Sequence, residues 1–90
     1  MTIETEQVPD SPPAIDDLRQ EIDRLDATIL EAVKRRTEVS KVIGKARMAS
    51  GGTRLVLARE REIVDRFRAA LGPDGTQVAL LLLRSGRGPL

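Results

Sequence analysis

Between Ile15 and Ala46 the apolar residues recur in steps of three and four, at Ile15, Leu18, Ile22, Leu25, Ile29 and Ala32, and then, seven residues on, at Val39, Ile43 and Ala46. That spacing draws one stripe along a helix. After Pro12-Pro13 no Gly or Pro interrupts it until Gly44, and it stops at the turn signal Ser50-Gly51-Gly52. Gly44, inside the pattern, reads as a point of close helix approach. About 35 residues rising 1.5 Å each make a helix roughly 50 Å long. Such a rod is too long for a single globule of 90 residues.

The rest of the chain supplies two shorter helices. Thr53 is placed to cap the second, whose stripe runs through Val56, Arg59/Glu60, Ile63, Phe67 and Ala70/Leu71 before Gly72-Pro73 ends it. Asp74 or Thr76 then caps a third helix that runs to about Arg84, apolar on every side and so expected to be buried, with Ser85–Leu90 as loop. The predicted fold is all-α, with three helices per chain, one long and two shorter. The two short helices hold about 30 residues and cover one side of the long one, so a second copy is expected on the other side, as a homodimer. Residues 1–13, rich in acids and Pro, read as a disordered tail, and residues 14–90 as one domain. The tail has no apolar core of a signal peptide, which points to the cytoplasm. The longest apolar run, Val78–Leu83, falls far short of the ~20 residues of a membrane span.

Composition removes most chemistries. The chain has no Cys and no His, hence no thiol nucleophile, no imidazole base and no zinc site of the usual kind. No cofactor is expected, and activity must run on Arg, Lys, carboxylates, hydroxyls and backbone amides. Residues 1–31 carry a net charge of −7 and residues 32–90 one of +8, within an overall +1. Twelve of the fifteen basic residues are Arg, whose planar fork matches a carboxylate or phosphate with two parallel hydrogen bonds. A nucleic-acid domain would be more basic overall and richer in aromatic stacking faces than a chain with one Phe, so a small anion is favoured over nucleic acid.

Counting heptads from Ile15 puts Ile22, Ile29, Arg36 and Ile43 on one line, so Arg36 stands where the pattern asks for an apolar side chain. Arg47, eleven residues on, is rotated from it by only about 20° and lies roughly 16 Å further along the same face. Folding the chain back about Gly51 drops Arg59 and Glu60 into the gap between them. A single seam Arg is most simply a snorkelling surface residue. Three arginines converging with one carboxylate repel one another unless an anion neutralises them, and read as a pocket for a small, multiply anionic ligand. Arg19 lies about 25 Å from Arg36 on the same helix, too far to share a metabolite within one chain. An antiparallel partner chain brings its Arg19 beside Arg36; the alternative is a solvated pair with an acidic neighbour such as Asp23. The competing functional class is a dimeric helical interaction module whose Arg face binds an acidic partner without turnover.

Four motifs carry a family resemblance: Leu18-Arg19-x-Glu21-Ile22-Asp23-x-Leu25-Asp26, Val33-Lys34-Arg35-Arg36, Ile43-Gly44-Lys45-Ala46-Arg47, and Arg59-Glu60. With them the chain resembles the all-helical chorismate mutases, intertwined dimers of three-helix subunits. Ser50–Val56 and the Arg- and Gly-rich ending are similar to the short actinobacterial subclass, whose members work with DAHP synthase, the first enzyme of the shikimate pathway. The resemblance implies conversion of chorismate to prephenate, a pericyclic rearrangement without covalent intermediate, proton transfer or cofactor, in Phe and Tyr biosynthesis. It implies that Arg19 of the other chain, Arg36 and Arg59 clamp the two carboxylates. Arg47 then faces the ether oxygen, Glu60 accepts the ring hydroxyl, and Thr53 and Val56 line the wall. An isochorismate-pyruvate lyase is a second activity of the same fold. The chain departs from the family pattern at Val56, where an acidic residue is usual, at Leu57, where the subclass often has His, and at Pro89, where a basic residue is expected.

Overall fold

The computed structural model describes residues 14–53 and 56–88. Among these residues the fold is all-α: α1 (Ile15–Ala49), α2 (Leu57–Leu71) and α3 (Pro73–Arg87). The predicted tail, residues 1–13, lies outside the described residues, as do Pro89 and Leu90.

The chain divides into two units, one ending at Leu30 and the other running from Glu31 to Leu90. In the first, every described residue is exposed, including the whole apolar stripe from Ile15 to Ile29. Asp16 and Asp17 stand in the first turn of α1, where the helix dipole favours carboxylates. Thr28 Oγ1 donates to the Arg24 carbonyl within the helix.

The second unit is organised by α2 and α3. Gly72, at φ 76°, lies in the left-handed region, where a residue without Cβ costs least. Its N–H donates to the Arg68 carbonyl at 2.8 Å, ending α2. Pro73 follows at the first position of α3, where its missing N–H costs nothing. One residue therefore closes one helix and opens the next, and the caps expected at Asp74 and Thr76 are not used. Gly75 packs against the α2 backbone so closely that a Cβ would stand 2.6 Å from the Phe67 carbonyl carbon. Ile63 and Ala79 are the buried apolar residues of this packing.

Three further expectations are corrected. Thr53 does not cap α2: the helix begins at Leu57 after an extended Val56 whose carbonyl accepts from Glu60 N–H, and Thr53 is exposed outside it. The third helix is not buried all round, since Val78, Leu80 and Leu81 are exposed on it. Nor does it stop at Arg84. It continues through Ser85-Gly86-Arg87 and ends at Gly88, φ 74°, whose N–H donates to the Arg84 carbonyl at 2.9 Å. Gly86 reads as a helix breaker in sequence but is buried against α1, where a Cβ would meet the Ser40 side chain at 2.5 Å. Gly44, expected at a close approach, has open space around it in the single chain.

Candidate active site

The α1 segment from Glu31 meets the last two turns of α3 through three neighbouring residues. Arg36 Nη1 donates to the Leu82 carbonyl at 3.3 Å, Thr37 Oγ1 and Ser85 Oγ share a hydrogen bond of 3.1 Å, and Ser40 lies against Gly86. Arg36 is half-buried, and its partner is a neutral backbone oxygen, so its charge has no carboxylate beside it among the described residues. Arg47 is also half-buried, and its guanidinium has no hydrogen-bond or ion-pair partner among the described residues. Its aliphatic stem packs under Gly52, where a Cβ would lie 2.5 Å from Arg47 Cγ, and Gly52 N–H donates to the Arg47 carbonyl at 2.8 Å. The Gly-Gly turn thus admits the Arg47 stem rather than merely ending the helix.

Arg59 and Glu60, in the first turn of α2, take different partners. Arg59 is exposed and pairs with Glu62 at 3.3 Å in its own helix, a contact of small energetic weight. Glu60 is half-buried and forms an ion pair with Arg87 of α3. The expected insertion of Arg59 and Glu60 between Arg36 and Arg47 therefore takes another form: what meets α1 at Arg36–Ser40 is α3, and α3 also holds Glu60. Val56 is half-buried beside them in sequence. Arg19 is exposed on the first unit and pairs with Asp16 at 3.9 Å, one turn back, not with Asp23.

Two clefts flank the end of α3. One is lined by Val33, Leu81, Leu82, Arg84, Ser85, Arg87 and Gly88. The other, of about 310 Å³, lies between Ser40, Lys41, Gly44, Lys45 and Met48 of α1 and Gly86–Gly88. None of the seven residues singled out from sequence lines either cleft. Arg87 borders both, and sequence reasoning missed it because Ser-Gly-Arg-Gly reads as a loop. A signal was present: folding the chain about Gly72-Pro73 sets Glu60 opposite Ser85, within one helical turn of Arg87.

The described residues hold no cluster of three or more His, Cys, Asp or Glu placed to bind a metal, and no helix long and apolar enough to cross a membrane. What the described residues offer is cationic: two half-buried arginines on α1 with no carboxylate paired to them, and a carboxylate on α2 held by a third. This is an all-α protein whose described helix faces carry arginines with no carboxylate partner.

The comparisons with known proteins give that class its family. Residues 18–81 match the family described as chorismate mutase type II, and the chain belongs to it. It is 67% identical over 81 residues to the intracellular chorismate mutase of Mycolicibacterium smegmatis, covering 90% of this chain and 78% of that one. It is 68% identical over 78 residues to the intracellular chorismate mutase of Mycobacterium tuberculosis H37Rv, covering 87% and 73%. Among solved structures it is similar to a chain of the non-covalent complex of DAHP synthase and chorismate mutase from Corynebacterium glutamicum with bound transition state analog. That match has a TM-score of 0.81 and 56% identity, covering 84% of this chain and 92% of that one.

Proposed function

We propose that this chain catalyses the chorismate mutase reaction of its family, chorismate to prephenate, for Phe and Tyr biosynthesis in the cytoplasm, in an Arg-rich pocket shared between two copies. Within the chain, the observation that carries the reading is the state of Arg36 and Arg47. Two half-buried arginines at helix spacing on one face, with no carboxylate paired to either among the described residues, suit a dianionic ligand. Chorismate supplies two carboxylates and an ether oxygen. Its rearrangement needs no base or nucleophile, which suits a chain without His or Cys.

Catalysis then consists of holding the compact conformer of the substrate and stabilising charge on the breaking ether. Arg36, Arg59 and Arg19 of the second copy clamp the carboxylates. Arg47, held by its stem under Gly52, presents its guanidinium to the ether oxygen. Glu60 accepts the ring hydroxyl, and Thr53 and Val56 form part of the wall. The second copy also accounts for the apolar stripe of α1, exposed from Ile15 to Ile43 in the single chain.

The reading includes a complex with DAHP synthase, as in the Corynebacterium glutamicum structure. Docking that orders the site would raise kcat/KM through a coupling of about 1–3 kcal/mol. The test is loss of chorismate absorbance with the product identified, with and without DAHP synthase purified from the same organism. Prephenate formed faster in its presence supports the whole reading. Prephenate at an unchanged rate removes the activation by DAHP synthase alone, and no prephenate removes the mutase.

A further inference from the structure

The last two turns of α3 touch functional groups on both other helices: the Leu82 carbonyl accepts from Arg36 of α1, and Arg87 pairs with Glu60 of α2. The second contact is specific at the atomic level. Arg87 Nη1 donates to Glu60 Oε2, which leaves Oε1 free to accept from a ligand. The pair is partly shielded, with the two side chains 19% and 24% exposed, so it is screened less than the surface pairs of α1 and α2. Arg87 Nε is buried without a partner, so the guanidinium is held by this ion pair rather than by a web of alternatives. Its backbone is fixed on both sides, by Gly86 against Ser40 and by Gly88 closing the helix onto Arg84.

We propose that Arg87 is a positioning residue for the mutase reaction: by gripping Oε2 of Glu60 it turns Oε1 toward the substrate hydroxyl. The end of α3 is thereby a bracket that sets Glu60 on α2 and Arg36 on α1 from its last two turns. An unbraced Glu60 has several rotamers, and each departure from the productive one loses the hydroxyl contact. The proposal rests on the chorismate mutase reading above.

The test assays chorismate turnover across substrate concentration for wild type, Arg87→Met, Arg87→Gln, Arg87→Lys, Glu60→Gln and the double variant Arg87→Met/Glu60→Gln, with thermal melting in parallel. Arg87→Met is expected to lower kcat about ten- to a hundredfold, the scale of a misplaced catalytic group. KM should change much less, and Arg87→Lys should recover part of the rate because the cation returns without the fork. In the Glu60→Gln background Arg87→Met is expected to have little further effect, because it acts through Glu60. Wild-type kcat in Arg87→Met overturns the proposal, as does an equal fold-loss in both backgrounds. Should Arg87→Met unfold, Arg87→Gln, which keeps a hydrogen-bond donor at the end of the side chain without the charge, is judged by the same two criteria. A wild-type chain that turns over no chorismate overturns the mutase reading itself, which separates the two failures.

Discussion

Gly86 of α3 sits against Ser40 of α1 with no room for a side chain: a Cβ on Gly86 would lie 2.5 Å from Ser40 Oγ and 2.7 Å from Ser40 Cβ. The clash involves the Ser40 stem as well as its hydroxyl, so a rotamer change alone does not relieve it. Gly86→Ala should therefore destabilise by about 1–3 kcal/mol despite the better helix propensity of Ala. At roughly 4–8 °C per kcal/mol for a domain of this size, the loss is readable in a thermal melt. Ser40→Gly makes the space, and the two substitutions together should cost less than their separate losses combined. A melting temperature unchanged in Gly86→Ala would show that α1 and α3 do not meet there.

Arg47→Ala should lower kcat more than it raises KM, since a contact to the ether oxygen strengthens as the bond breaks. The loss of one such charge-assisted contact is on the order of 3 kcal/mol, or a hundredfold and more. Arg47→Lys should recover only part, because a point charge replaces a planar fork. Steady-state kinetics decide the matter, and near wild-type kcat in Arg47→Ala would remove Arg47 from the ether.

Arg36→Ala should behave differently, damaging binding and rate together, because a carboxylate clamp acts in ground and transition state alike. It should also lower stability by about 1 kcal/mol, since the hydrogen bond from α1 to the Leu82 carbonyl is lost. A fall in kcat with KM and melting temperature both unchanged would contradict this assignment.

The exposed stripe of α1, with Leu18 48% and Ile22 55% accessible in the single chain, should be covered by a second copy. Light scattering should give twice the chain mass, and the melting temperature should rise with protein concentration. A folded monomer at micromolar concentration would remove both the dimer and the shared site.

The three-helix architecture was legible in the sequence because helical periodicity is local: each apolar step of three or four from Ile15 to Ala46 reports a turn of α1 without reference to any other part of the chain. Arg36 was legible for the same reason, as a charge breaking an apolar line, and so were the turns at Gly51-Gly52 and Gly72-Pro73. What sequence could not decide were relations between residues far apart in the chain. Gly86 looked like part of a loop because intrinsic propensity counts its missing side chain as a cost, whereas contact with Ser40 makes that absence a condition of packing. Thr53 looked like a cap by type, but an extended Val56 moved the start of α2 onward. Glu60 was singled out by type and spacing, while its partner depended on where α3 ends and which way its last turn faces. Sequence alone determined which segments are helical and which charges stand off pattern. The tertiary structure decided which charge meets which, because an ion pair across 27 positions is set by the packing of two helices and not by the period of either.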